Sequence, residues 1–570
     1  MKVRSYMLED ITAEDELAAC LGAMSEEMPE TLLVTIYGID ITVRQMQRIA
    51  KAVRNIFFRA HIIGGRVQAV ISGGLGLSRG VSLTFVSFEH AKLHLVTQPM
   101  RGGVLNVERL RGWLACQKEV ACLMTLWSGR VNAVKDIFAG CGIPVFGGML
   151  FDCEEKSSSF LYANDEIIEN GVVCLSFCGR SLDVKLMQCC SWQPIGPTFR
   201  ITAMDGPWAV RELDGEPFAD VYDRYIGHAA GERFIDASLS FPMVMHREDQ
   251  CIARQPVRCR EDGAGEFIAD LALGDKVQFA YGDPVHIIYE TQRLQKEMSL
   301  FQPQGLFMVD CIGRYLILEG NMEHELKNCR KIAPSFGFYS YGELMGHGES
   351  SWMLNMSLVM VGMRESSMES RQVADFSPDN VVFSRNQRFI SHLVHLVQTT
   401  TEALERKNDL LGYQARTDAL TKLANRGAIE ASIKQALADL HHKFAVIMLD
   451  VDNFKGINDQ LGHDVGDESL RTLSRAIHSS LRSHDIAGRW GGDEFLILLL
   501  GANASGAYKV AERIKAIVGK HSLPNGDRFT LSIGITAACT DDDEKTLFRR
   551  VDQALYDAKG TPGKDTIVIR

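Results

Sequence analysis

The sequence predicts a multidomain α+β protein. It reads as a mixed α/β region of two lobes, a dimerising helix and a C-terminal α/β domain. Three observations predict this. The chain has 570 residues, about twice the length at which a single hydrophobic core stops growing. Short apolar runs of strand character alternate with helical stretches from residue 30 to 365, and again beyond 412. Between these regions the apolar residues recur at spacings of three and four, which is helical.

The elements follow in chain order. Residues 1–29 are acidic and helical in pattern, with no assignable role. Thr31 to Tyr37, Val81 to Phe88, Gly171 to Phe177 and Leu306 to Cys311 read as strands. The glycine groups Gly73-Gly74-Leu75-Gly76, Gly102-Gly103 and Gly147-Gly148 read as turns between them. The lobes are taken as 30–227 and 228–368. A polar break from Arg364 to Ser370 and a turn cluster at Ser377-Pro378-Asp379-Asn380 open the linker, 369–411. Within it Ile390, Leu393, Val397, Thr400, Leu404, Lys407 and Leu411 form a heptad seam with two weak positions. That seam suits either a helix packed on its own domain or a parallel coiled coil between two protomers.

Residues 412–570 carry the chemistry. Asp450 ends the apolar run Phe444 to Leu449, which reads as a buried strand. Gly491-Gly492-Asp493-Glu494 precedes a second apolar run, Phe495 to Leu500. Carboxylates at neighbouring strand ends are how proteins hold Mg²⁺ against nucleotide phosphates. Lys455 and the loop amides around it suit phosphate oxygens. Asn458 and Asp467 offer an amide and a carboxylate that match a guanine edge. The glycines suit a hairpin tip that a nucleotide approaches closely.

Composition bounds the rest. Lys and Arg number 61 against 72 Asp and Glu, a net charge of −11, which argues against coating nucleic acid. No apolar stretch reaches the roughly 18 residues of a membrane span, and the start lacks a signal-peptide pattern. The 14 cysteines show no disulfide framework and suit a reducing, cytoplasmic setting.

The C-terminal motifs resemble the GGDEF domain of diguanylate cyclases. The string runs from Asp418-Ala419-Leu420-Thr421-Lys422-Leu423-Ala424-Asn425-Arg426 through Asp450 to Asp467 and Arg489 to Phe495. Ser532-Ile533-Gly534 and Ala554 to Lys559 complete it. The resemblance implies a ferredoxin-like fold, similar to nucleotidyl cyclase and polymerase palms, that converts two GTP to cyclic di-GMP and two pyrophosphates. It implies Mg²⁺ (or Mn²⁺) on Asp450, the Val451 carbonyl and Asp493, with Glu494 as a further metal ligand or as the group that deprotonates the ribose 3′-hydroxyl. Phe454, Lys455 and Lys559 would hold phosphates, and Asn458 and Asp467 guanine. One GTP per domain implies a homodimer. Lys564 stands where the family carries arginine, after a one-residue insertion, and lysine cannot form arginine's bidentate fork. Arg482 and Asp485 match the family's R-x-x-D product-inhibition motif.

Two passages resemble the FIST sensory domain of bacterial signalling proteins. One comprises Pro144 to Gly148, Trp192 to Pro197 and Glu212 to Phe218; the other comprises Cys311 to Arg314 and Gly337 to Leu344. This resemblance implies a small-molecule sensor, with an amino acid the more frequent suggestion and haem less so. Tyr339, Tyr341, Glu343 and Asn355 are its candidate ligand residues, or alternatively fold-maintaining ones. The combined expectation is a sensor-regulated diguanylate cyclase. Its rivals are a catalytically lapsed GTP or cyclic di-GMP receptor, a cyclase with another product, and a docking scaffold.

Overall fold

The computed structural model describes the chain apart from residues 10–13, 26–28, 101–103, 130–136, 139, 151–158, 228–232, 248–249, 269, 319–321, 348–349, 366–380, 439–442 and 540. The expectations for Gly102-Gly103 and for the 377–380 turn cluster lie outside the described residues. The chain forms two compact units, Met1–Thr401 and Glu402–Arg570.

The first unit is built from one module used three times. Each module has an edge strand (Lys2–Leu8, Lys92–Pro99, Leu182–Cys189) and a central strand (Thr31–Gly38, Val120–Ser128, Gly305–Cys311). A strand parallel to the central one follows (His61–Arg66, Val145–Met149, Ser335–Ser340), then a hairpin and a return strand (Val81–Phe88, Gly171–Cys178, Leu358–Glu365). Each module contributes the core of a 6-stranded sheet in the order edge, return, central, parallel, hairpin. The hairpin always comes from another module. Leu161–Ala163 pairs with the first sheet, Glu343–His347 with the second and Val70–Ser72 with the third, which closes a cycle.

The registers agree at one glycine per module. Gly64 faces Ile36, Gly147 faces Thr125 and Gly337 faces Met308. A Cβ at any of them would lie 1.7–1.8 Å from the facing carbonyl oxygen, so only glycine fits. Gly147-Gly148 therefore sits inside a strand, a correction to its reading as a turn. Gly73 and Gly74 do form a turn, with φ of 57° and 76°. One core draws on all three modules, with Phe146 against Phe307 at 5.6 Å and Tyr37 against Phe338 at 4.7 Å.

A further 8-stranded sheet occupies Gln193–Tyr281, inserted between the edge and central strands of the third module. The helix Pro284–Phe301 then returns the chain, capped by Asp283 with proline in its first turn. Residue 228 is the expected boundary between the two lobes. Three of the four sheets draw strands from both sides of that position, because hairpin exchange and the insertion interlock the halves. Among the described residues no helix is long and apolar enough to cross a membrane.

The expected connecting helix runs over Arg385–Arg416. Its seam residues Ile390, Leu393, Val397, Leu404 and Leu411 are 39–57% exposed, and Phe389, Leu396 and Leu410 extend the same apolar face. Val394, by contrast, is buried.

The second unit is a 5-stranded sheet in the order Ile486–Arg489, Glu494–Leu500, Phe444–Val451, Leu531–Ala537, Ile567–Ile569. All pairs are antiparallel except the last. Its first four strands in chain order, with their crossover helices, make the β-α-β-β-α-β arrangement of ferredoxin-like folds. Strand alternation serves two helix layers. Ala445, Ile447 and Leu449 pack with Leu473, Ile477, Ala511 and Ile514, whereas Val446 and Met448 pack with Ile429, Ile433, Val551 and Leu555.

Candidate active site

The central strand Phe444–Val451 is buried throughout, and its last residues face the two neighbouring strands. Asp450 lies opposite Glu494 on one side and Ser532 on the other. The hairpin loop Trp490–Asp493 folds against this end. Val451 N–H donates to the Asp493 carbonyl at 3.3 Å, and the Trp490 and Gly491 amides donate to the Glu494 carbonyl at 2.8 and 3.2 Å. Asp450, Asp493 and Glu494 therefore gather at one cleft, as the sequence predicts.

Electrostatics follow from that crowding. Burial, together with the charges of Asp493 and Glu494, pushes the Asp450 carboxyl up to about 6. The Lys559 ammonium opposes this from 2.7 Å, and it stands 3.9 Å from Glu494. The family resemblance implies a phosphate contact for Lys559; in the fold its nearest anion is Asp450. Among the described residues no three His, Cys, Asp or Glu side chains converge as a ready metal cluster. The acids supply part of an oxygen shell and leave the remainder to a nucleotide's own phosphates, which is how Mg²⁺ is usually held.

The other predicted residues lie on neighbouring elements. The left-handed Asn453, φ 55°, turns the chain into the helix Phe454–Leu461, which carries Phe454, Lys455 and Asn458. Lys455 is exposed; Phe454, Asn458 and Asp467 are half-buried. A Cβ on Gly466 would lie 1.9 Å from Asn458 Oδ1, so the Asn458 amide rests on the turn of helix carrying Asp467. Lys564 is exposed, on a left-handed backbone with φ 51°.

Two supports were not assigned roles by sequence reasoning. The Arg489 guanidinium donates to the carbonyls of Gly491 (3.2 Å) and Gly492 (2.7 Å) and pairs with Asp418 at 3.4 Å. Thr421 in turn holds Asp418 through its amide and hydroxyl. Arginine and the Gly491 and Gly492 carbonyls thus set the hairpin's shape. Asp452 accepts from Thr530 and Ser532 hydroxyls, each at 2.7 Å, and from the Asp565 amide. It is spent on structure, unlike Asp450. Alternation alone would put residues two apart on one face; the two differ because Asp450 is still in the strand, whereas Asp452 sits in the turn just past its end at Val451.

Arg482 and Asp485 share a turn in which the Arg482 amide donates to the Asp485 carboxylate at 2.9 Å. They line an open cavity of about 570 Å³ with Arg416, Lys422 and His478.

The sensor candidates divide. Glu343 is wholly buried and accepts from the Ser340 hydroxyl at 2.6 Å and the Ser357 amide at 3.2 Å. Burial pushes its carboxyl up to about 8. Asn355 bridges the Gln255 amide and the Tyr341 carbonyl. Tyr339 is buried, and among the described residues its hydroxyl has no hydrogen-bond partner. Beside them lies a group not foreseen: Arg314, fully buried, pairs with Asp310 at 3.2 Å and Glu325 at 2.5 Å.

Comparison with known proteins fits this architecture. The diguanylate cyclase GGDEF domain matches residues 415–565, the FIST C domain 219–346 and the FIST N domain 33–216. The uncharacterized protein YtrP of Bacillus subtilis is 33% identical over 189 residues, 33% of this chain and 31% of that protein. Diguanylate cyclase DosC of Escherichia coli is 37% identical over 177 residues, 30% of this chain and 37% of DosC. The chain thus spans about a third of the length of these relatives. The solved coiled coil and GGDEF domain of DgcB from Caulobacter crescentus, in complex with c-di-GMP, is 26% identical, covering 32% of this chain and 99% of that one with a TM-score of 0.30. The chain carries a FIST N domain, a FIST C domain and a GGDEF domain.

Proposed function

We propose that the chain is a diguanylate cyclase that condenses two GTP into cyclic di-GMP with release of two pyrophosphates. The observation that carries this reading is the gathering of Asp450, Asp493 and Glu494 with Lys559 at the open ends of paired strands. Asp450, Asp493 and the Val451 carbonyl would hold Mg²⁺ or Mn²⁺, with Glu494 beside them; when bound, the cation would supply neutralisation of charge on the phosphate oxygens. The raised Asp450 carboxyl fits this role, because a site overloaded with acid favours a divalent cation.

The chain's own groups do the rest. Lys559 and Lys455 take phosphate oxygens, and Lys564 adds a point charge from the far side. Lys559 is 36% exposed at its side chain, so it can swing from Asp450 to the nucleotide. Asn458 and Asp467 read the guanine edge. Glu494 accepts the 3′-hydroxyl proton as that oxygen attacks the other nucleotide's α-phosphorus. Gly491 and Gly492, shaped by Arg489, leave room for the nucleotide.

Each domain holds one GTP, so two copies must meet. The uncovered apolar face of Arg385–Arg416 supports pairing through that helix, which raises the effective concentration of the second half-site. The FIST region takes a small-molecule ligand that biases this pairing. Product bound at Arg482 and Asp485 holds the domains apart.

The test supplies GTP and ATP together with Mg²⁺ to the full-length protein and identifies products by mass. Cyclic di-GMP alone is expected. A mixed or adenine product overturns the assignment of Asn458 and Asp467. No product with GTP still bound favours the receptor reading, which the Lys559–Asp450 ion pair supports, since it already neutralises the acid that a metal needs.

A further inference from the structure

We propose that Cys190 and Cys251 are a peroxide-reactive dithiol that closes to a disulfide between the third module and its inserted sheet. The two sulfurs lie 3.2 Å apart. A disulfide needs about 2.05 Å, so closing asks the two sulfurs to approach by roughly 1 Å. Cys190 follows directly on the edge strand Leu182–Cys189. Cys251 lies on Gln250–Arg254, the end strand of the inserted sheet.

The backbones are pinned in this position. Arg314 donates to the Cys190 carbonyl at 3.2 Å and to the Cys189 carbonyl at 3.4 Å. The Gln188 side-chain amide donates to the Cys251 carbonyl at 3.2 Å. Both residues are partly exposed, unlike the buried Cys122, Cys174 and Cys311, and Cys251 is the more open of the two thiols. Reactivity differs accordingly. Burial pushes the Cys122, Cys174 and Cys311 thiols up, which leaves them inert. Within the pair, the thiol–thiol contact lowers Cys251 and raises Cys190. The buried Arg254 guanidinium interacts electrostatically with Cys190.

The chemistry balances with a peroxide as oxidant. The Cys251 thiolate attacks one peroxide oxygen, the O–O bond breaks, and Cys251 becomes a sulfenic acid as hydroxide leaves and is protonated to water. The Cys190 thiol then attacks that sulfur, the S–O bond breaks, and a second water departs with the Cys190 proton. Two thiols are oxidised and one peroxide is reduced. The competing account treats the two cysteines as filler in the small cluster around Trp192 and Met356.

The test treats reduced, native, full-length protein with hydrogen peroxide, caps the remaining thiols and maps peptides by mass without reduction. The expected result is a Cys190–Cys251 linked peptide, two hydrogens lighter than its parts. It forms before the exposed Cys116 and Cys539 are consumed, and a thiol reductant reverses it. Cys189→Ser retains the link, which removes the ambiguity of the neighbouring thiol. Cys190→Ser leaves a sulfenic acid on Cys251 that a sulfenic-acid-selective nucleophile traps. The proposal is overturned if both thiols stay capped after Cys116 has oxidised, or if the link forms equally fast in urea-unfolded chain.

Discussion

Two regions of this molecule hold the same mixture of charge and put it to opposite uses. In the GGDEF domain Asp450, Asp493 and Glu494 share one lysine; in the FIST region Asp310, Glu325 and Glu343 lie around one arginine. Lys559 and Glu494 have side chains 36% and 34% exposed, whereas Arg314, Asp310 and Glu325 are at 0%. Lysine makes a point contact that it can release, whereas the Arg314 fork is committed to both acids, Thr291 and two carbonyls. Exposure and the choice of cation suit one cluster to the proposed catalytic site and the other to a strut.

The sharpest way to break the comparison is to neutralise one acid in the working site. Asp450→Asn is expected to lower GTP turnover by about 10³-fold, since the metal loses its buried carboxylate. It should also stabilise the metal-free fold by roughly 1 kcal/mol above pH 6, after discounting for partial solvation. The sign follows from the pKa. The Asp450 carboxyl is raised in the fold, so the wild type loses stability as pH climbs from about 4 through about 6. Turnover assays paired with denaturant melts check both halves. A variant that is inactive and also destabilised would mean that Asp450 is a strut.

The strut should behave in reverse. Arg314→Ala is expected to cost about 3–5 kcal/mol by chemical denaturation, because it strands buried carboxylates. Lys559→Met should stay within about 1 kcal/mol of wild type while losing activity. Equal destabilisation by the two would erase the distinction.

These expectations were legible in the sequence to different degrees. Asp450, the hairpin and Asn458 could be read because their chemistry sits in contiguous motifs beside strands. The cyclic hairpin exchange could not, since Val70 finds Phe338 across most of the first unit and nothing local to either residue marks the pairing. Its three glycines were visible, but a glycine forced by a facing carbonyl looks the same in sequence as one that turns the chain. The grouping of Asp310, Arg314 and Glu325 is not legible, because Asp310 is a lone charge in an apolar run, Arg314 only closes a recognised passage, and Glu325 stands among other charged residues of a different segment. Arg489 and Asp418 stood inside recognised motifs, yet their pairing spans the chain between two of them.

Glu343 sharpens the contrast through pH. Its folded carboxyl is raised to about 8, so the neutral form is favoured. Its contribution to stability is full below the unfolded value near 4.5 and is lost as pH rises through about 8. Glu343→Gln should flatten thermal stability across pH 5–9 relative to wild type. An unchanged slope would remove Glu343 from the strut.

The smallest effect tests how finely the working site is tuned. Gly466→Ala is expected to push the Asn458 amide aside and raise KM for GTP about tenfold, the worth of roughly one hydrogen bond. Melting temperature should barely move, because the displaced atom ends a flexible side chain. A lowered melting temperature with KM intact would place Gly466 in packing instead.

The most direct measurement compares full-length wild type with Glu494→Gln, incubated with GTP and Mg²⁺ and read by product mass. The account predicts cyclic di-GMP and pyrophosphate from the wild type, and a loss of at least about 10²-fold in the variant with its fold and GTP binding retained. Equal product from both proteins, or none from a wild type that binds GTP, would contradict it.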